Sequence, residues 1–339
     1  LNLVRYLLCY LAYANANYYE AAVLGDFIAR RYPDSQGARQ CGKITMASYI
    51  KLYSEKDPKN PDENKEFEAK QIIAICKYIS EKWPESPEAA EAINTLIPFM
   101  IKEKRLDDAQ AYLDQIPKDA PSRGPAELKI GQSLWAAFLE GSRELRDYEN
   151  AEIKAEGFDP VKKKAELEAL KNKAKTILTD GVTRMQATGE VSPITVTSTF
   201  SLAQIYVNTD EASKAVAILE DAKIGALTLT KKNDPVTQRE GFQQETYKLA
   251  LQAYISSLSV AGTNAEATIT KAEEIMDLLE KLMATDEKGQ SKLIGIYVSL
   301  AKELQNQMQL ANATQKVALG KGFEEFLSQM SKKSSDGKI

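Results

Sequence analysis

The chain has 339 residues, 43% hydrophobic and 27% charged, enough apolar side chain for a core built as one long assembly or as two domains. Its 44 Lys and Arg stand against 48 Asp and Glu, a formal net charge of -4, which does not call for a polyanionic partner such as nucleic acid. Histidine is absent, which removes the commonest general base, the commonest metal ligand and every Ser-His or Cys-His nucleophile pair. No apolar run approaches the roughly 20 residues that a membrane span needs. The opening Leu1-Asn2-Leu3-Val4, with no initiator Met and no basic leader, reads as a piece excised from a longer polypeptide.

Leu3 to Ala14 predicts a helix with Val4, Leu7, Leu8 and Leu11 as its core stripe. Asn15-Ala16-Asn17 is a turn, and a second helix from Tyr18 towards Tyr32 brings Ala21, Leu24, Gly25 and Ile28 inward. Pro33 ends it, because the residue before a proline is pushed out of helix. A third helix covers residues 36–54 through Ala38, Cys41, Ile44, Met46 and Ala47, followed by a polar break from Asp57 to Pro61. A fourth begins at Phe67 and ends at Trp83-Pro84-Glu85-Ser86. Tyr32-Pro33-Asp34-Ser35 is the same aromatic, proline, acid, serine order 51 residues earlier. Ile93, Leu96, Ile97 and Met100 lead to a turn at Lys104-Arg105, and Ala109, Leu113 and Ile116 follow on a helix closed by Pro121.

Leu128 to Leu139 predicts another helix, and the charged, weakly apolar stretch from Arg143 to Phe158 marks the loosest boundary, near 141–160. Pro160 opens a long helix to about Ala187, with Leu167, Leu170, Ala174, Ile177, Leu178, Val182 and Met185 on one face. Its lysines, Lys162, Lys163, Lys164, Lys171, Lys173 and Lys175, interleave with Glu166 and Glu168 and read as a solvated flank. Ser192-Pro193 caps the next helix. Ile194 to Thr197 leans towards strand by its branching, but the helical period through Phe200, Leu202, Ala203 and Tyr206 continues from it.

Asn208-Thr209-Asp210 is a polar turn, after which Ala215, Leu219 and Ala222 resume the period on a second helix. Leu96, Ile97, Met100, Ala109, Leu113 and Ile116 take the same slots as Leu202, Ala203, Tyr206, Ala215, Leu219 and Ala222, at a constant offset of 106 residues. A Thr- and Lys-rich loop is read from Thr228 to Pro235, then longer helices near 238–260, 266–284, 291–309 and 312–331. The domain reading is 1–140 for N-terminal hairpins and 141–190 for a charged linker and long helix. Residues 191–331 follow as further hairpins, and 332–339 as a disordered tail.

No catalytic or cofactor site emerges. Cys9, Cys41 and Cys76 lack metal-site spacing and sit in apolar helical contexts, as small core residues do. Asp57 to Glu63 lacks the ligand spacing and central glycine of an EF-hand loop. Gly320-Lys321-Gly322 is not a phosphate loop, and Asn312-Ala313-Thr314 matches a glycosylation acceptor by letter only, inside a predicted helix. None of the 48 acids stands out as half of a general acid/base pair. The reading is of a chain that is not an enzyme and holds neither metal nor cofactor.

The hairpin from Ala203 to Ala222 resembles the tetratricopeptide repeat in its order of small and large residues. Tyr18-Tyr19-Glu20-Ala21-Ala22 with Tyr32-Pro33-Asp34-Ser35, Trp83-Pro84-Glu85-Ser86 and Leu106-Asp107-Asp108-Ala109 carry the same resemblance, in the variety found in bacterial envelope proteins. About half the chain is covered. Arg5 and Thr199 stand where the family has an aromatic, Gly25 where it has a bulky residue, and the helices after Pro235 are too long for standard units. The resemblance implies an all-α, right-handed α-solenoid of about seven helix pairs, each unable to bury its apolar face alone. It also implies a protein-protein interaction scaffold for a protein or peptide ligand, with the compartment left open. A structural, self-associating solenoid of membrane-coat or envelope-assembly kind is the second reading. In this family the first helix of each hairpin lines a concave groove. That places Tyr6, Tyr10 and Tyr13, and the equivalent Phe200, Gln204 and Val207, on groove-facing positions.

Overall fold

The structure, a computed structural model, describes residues 1–55, 65–102, 105–151, 157–258, 260 and 263–284, with isolated positions between 289 and 328. The structure is all-α: helix accounts for 81% of the described residues, and no strand occurs among them. It divides into two compact units, Leu1–Leu134 and Trp135–Ile339. The expected loop from Asp57 to Glu63, the Asn312 sequon, Lys321-Gly322, the tail and most of the last two expected helices lie outside the described residues.

The first unit starts with α1 (Asn2–Ala14), α2 (Tyr18–Arg31), α3 (Ala38–Ser54) and α4 (Glu66–Lys82). It continues with α5 (Pro87–Lys102), α6 (Leu106–Gln115) and the beginning of α7 (Arg123–Asn150). From α1 to α6 every helix packs on the next, and α1 also meets α3, as α3 meets α5. The two aromatic-proline-acid-serine stretches form the same turn. Tyr32 and Trp83 close α2 and α4 with φ/ψ of -133/54° and -131/56°. The Ser35 and Ser86 amides donate to the carbonyls of Tyr32 and Trp83 at 3.0 and 2.9 Å. At the end of the unit, Arg123 pairs with the buried Glu127 at 2.8 Å. The same guanidinium donates to the carbonyls of Leu113 and Ile116 at the end of α6, where the Leu113 carbonyl also accepts from the Ile116 amide.

Gly25 explains the closeness of α1, α2 and α3. A Cβ at Gly25 would lie 2.4 Å from Thr45 Oγ1, 2.7 Å from the Cys41 carbonyl oxygen and 3.1 Å from Cys9 Sγ. The space that a bulky residue fills in the resembling family is here filled by neighbours. Cys9, Ile28 and Cys41 form the core there, with Tyr6, Leu24 and Ile44 packed around it.

The outward register of α1 corrects the sequence reading. Cys9 and Ala12 are its buried residues, whereas Val4, Leu7, Leu8 and Leu11, read as its core stripe, are each about half exposed. The helix is apolar on nearly all sides, so hydrophobic period alone could not choose which side turns inward. Small Cys9 and Ala12 permit the close approach to α2 and α3 that leucines would prevent.

The second unit continues α7 to Asn150, further than the helix ending at Leu139 that the sequence led us to expect. Then come α8 (Pro160–Thr188), α9 (Pro193–Asn208), α10 (Ala212–Leu219), α11 (Ala226–Lys231), a 3-10 turn at Pro235–Thr237, α12 (Phe242–Ser257) and α13 (Ala265–Met283). Asp159 caps α8 through the amides of Val161 and Lys162, and Ser192 caps α9 through that of Thr195. α9 and α10 form the hairpin read from sequence, and both pack on α12. Five of the six positions at offset 106 are buried in both hairpins, from Leu96/Leu202 to Leu113/Leu219. The sixth fails: Ile116 is buried but Ala222 is exposed. α10 ends at Leu219, and Asp221 accepts from the amides of Lys223 and Ile224, turning the chain so that Ile224 enters the core instead. The first half of the stretch read as a loop from Thr228 to Pro235 belongs to helix α11, whose Leu227, Leu229 and Thr230 are buried. Thr199, at 0% exposure, replaces an aromatic by donating to the carbonyls of Val196 and Ile224 at 2.9 and 3.3 Å.

Candidate functional site

The first unit carries a groove of about 720 Å³ along the exposed flank of α5. Ile50 of α3 forms one wall, Pro87, Ala90, Asn94, Pro98 and Phe99 of α5 the floor, and Pro121, Ser122 and Lys129 the far side. Local sequence builds it. Ser86 caps the start of α5 by accepting from the Ala89 amide at 3.1 Å, and Pro87 takes the first helical position, where its missing N–H costs nothing. Ala92, Ile93, Leu96, Ile97 and Met100 go into the core, which leaves residues 87, 90, 94 and 98 along the opposite side. Pro98 lies inside the helix and offers no N–H to the Asn94 carbonyl. The Phe99 ring meets Tyr53 edge-on, 5.4 Å between centroids, which holds the ring at the groove wall.

The groove's charges are unequal. Glu91 is neutralised by Lys43 at 2.6 Å, a hydrogen bond that also raises the Lys43 pKa. Lys129 is half-buried and has no acidic partner among the described residues. An apolar trough with one cation suits an extended segment that brings apolar side chains and a carboxylate. Among the described residues no cluster of His, Cys, Asp or Glu could hold a metal ion, and no helix is long and apolar enough to cross a membrane.

The six residues singled out from sequence fall in different settings, with Val207 part-buried on α9. Tyr6 packs on the Cys9–Ile28–Cys41 core and its ring lies against Gly37. Tyr13 meets the Tyr18 ring edge-on at 5.6 Å, and Tyr10 is about half exposed. In the second unit, the Phe200 ring lies 5.4 Å from that of Phe242, and Gln204 accepts from the Trp135 indole at 3.0 Å. None of the six lines the groove along α5. The residues that do were not singled out by sequence reading. Their signal was there in the polar and small residues at 87, 90, 94 and 98, and in a proline inside an otherwise apolar helix.

Two further polar clusters are structural. Glu211 holds the start of α10 against α8 and α9. Partial burial works against its charge, but hydrogen bonds from Lys175, Lys214 and Thr209 outweigh that and hold its pKa down at about 2. Glu220 accepts from Lys271 and from the Tyr254 hydroxyl, joining α10 to α12 and α13. Burial, with that bond to a carboxylate, pushes the Tyr254 phenol well up. The three cysteines are buried, and burial raises the Cys76 thiol to about 12. The Cys9 thiol is pushed up by its hydrogen bond with Cys41 and by burial.

The chain thus belongs structurally to the all-α class, with an open, mostly apolar groove on its first unit. No protein-family model matches it, and a search of curated proteins returns no relative.

Proposed function

We propose that the protein is a non-catalytic interaction scaffold, built from tetratricopeptide-like helical hairpins in right-handed solenoid stretches, and that the groove along α5 takes a peptide segment of a partner protein. The observation that carries this is the groove's lining by alternate helices, α3, α5 and α7. In a stack of hairpins those first helices share one face. The packing of each helix on the next, with α1 on α3 and α3 on α5, supports the same reading. So do the twin turns at Tyr32 and Trp83. The ligand chemistry follows from the lining: apolar side chains over Ile50, Ala90 and Phe99, and a carboxylate at Lys129.

Fluorescence polarisation against two labelled peptide sets tests it, one apolar with acidic ends and one apolar with basic ends. The acidic set should bind. Lys129→Glu should weaken it by at least tenfold and favour the basic set. Ala90→Trp, which fills the groove from a half-buried helix position, should abolish both. Binding that survives Ala90→Trp, or no difference between the sets, would remove the groove from the proposal.

A further inference from the structure

Two of the three cysteines face each other. Cys9 of α1 and Cys41 of α3 share one core cluster with Ile28, all at 0% exposure, and the two thiols are hydrogen-bonded to one another. The Cys9 thiol also reaches the Ala21 carbonyl at 3.4 Å. Helix packing brings the pair together, since α1 rests on α2 and also meets α3. Gly25 clears the space between them: a Cβ there would stand 3.1 Å from Cys9 Sγ and 2.7 Å from the Cys41 carbonyl oxygen. Cys76 of α4 is the contrast. It is buried beside Ile72, Ile75 and Ile79, and burial alone raises its thiol.

Small size does not account for the pair. Ala12, Ala21, Ala22 and Ala29 are buried on the same helices, so alanine serves where these helices approach closely. Two thiols in contact carry chemistry that alanine lacks, because removing two hydrogens joins them. That chemistry starts from a thiolate. The hydrogen bond with Cys9 lowers the Cys41 thiol against the opposing effect of burial, and the same bond raises Cys9. Cys41 is therefore the sulfur that ionises first, and Cys9 the one that keeps its proton.

We propose that Cys9 and Cys41 are a peroxide-responsive pair, which closes to a disulfide fastening α1 to α3 beside Gly25 and reopens with a thiol reductant. The Cys41 thiolate attacks one peroxide oxygen, the O–O bond breaks, and a sulfenic acid forms as hydroxide leaves. The Cys9 sulfur then attacks the Cys41 sulfur, the S–O bond breaks, and the Cys9 proton departs with that hydroxyl as water. The proton first lost by Cys41 turns the earlier hydroxide into water. One hydrogen peroxide thus takes two electrons from two thiols and gives one disulfide and two waters. Access comes from local opening of α1, which is held by few buried side chains, Cys9 and Ala12. The ring closed by the bond contains all of α2, so the oxidised chain has less freedom to lose on folding than the reduced one. This inference does not rest on the groove along α5.

The test treats the folded, fully reduced 339-residue chain with hydrogen peroxide, removes the excess with catalase, and alkylates the remaining thiols in urea. Three thiols should react before oxidation and only Cys76 after it. Peptide mapping should show Cys9 linked to Cys41 within one chain, and dithiothreitol should restore all three thiols. The oxidised protein should melt about 5–10 °C above the reduced one. Cys9→Ala and Cys41→Ala should each abolish that rise, and Cys76→Ala should keep it. Three alkylated thiols after peroxide, a link that involves Cys76 or a second chain, sulfinic acid in place of the link, or a lower melting temperature on oxidation would each overturn the proposal. The thiol count and the peptide map are read on the unaltered chain, so they decide the matter even if an alanine variant fails to fold.

Discussion

Gly25→Ala isolates the contact on which the first three helices depend. A methyl at this site meets Thr45 Oγ1 at 2.4 Å and the Cys41 carbonyl oxygen at 2.7 Å. The hydroxyl can swing away, but it then gives up its bonds to the carbonyls of Cys41 and Ala22, at 3.0 and 3.3 Å, in a site of 0% exposure. Leaving that hydroxyl unpaired costs about 1–3 kcal/mol. The Cys41 carbonyl belongs to helix backbone and cannot swing, so α3 must shift, at about 1–3 kcal/mol for overpacking. Against this, alanine improves a helix interior by about 0.5–1 kcal/mol over glycine. The net is a loss of about 1–5 kcal/mol, read as a lower urea midpoint of the first unit. Gly141→Ala is the control: its Cβ meets only the flexible ends of Leu167, at 2.7 Å, and Lys163, at 3.1 Å. That variant should stay within about 1 kcal/mol of the parent. A Gly25→Ala protein with an unchanged or higher midpoint would refute the packing account.

Two further outcomes concern the second unit. Ala215 is fully buried where α10 crosses its neighbours, and Ala217 is exposed. Ala215→Leu should therefore cost about 1–3 kcal/mol and Ala217→Leu almost nothing, and equal melting temperatures would mean that the register of α10 is wrong. Glu211 has a folded-state pKa of about 2, below the roughly 4.3 of an unfolded glutamate. Its contribution is present above about pH 4.3 and is lost as the pH falls towards 2. Glu211→Gln should accordingly destabilise the protein at pH 6 and matter progressively less below pH 4. A stability difference from the parent that is as large at pH 2.5 as at pH 6 would contradict the lysine-paired carboxylate.

Sequence alone determined the all-α class and most helix boundaries, because proline, caps and the 3.6-residue period act locally. Ser192-Pro193 and Pro160 open helices wherever the chain goes, and the aromatic-proline-acid-serine turns close them by torsion, independent of packing. Ala215 and Leu219 were readable as core for the same reason: one face of a two-faced helix is apolar, so it goes inside. Tertiary structure decided the cases in which local signals tie. α1 is apolar nearly all round, and only the approach of α2 and α3, permitted by Gly25, selects Cys9 and Ala12 over Val4, Leu7, Leu8 and Leu11 as the buried side. Ala222 yields to Ile224 because the side chain of Asp221 turns the chain first. The groove belongs to this second group as well. Ile50, Asn94 and Lys129 are far apart in sequence, and no pattern of spacing relates them until three helices bring them to one face.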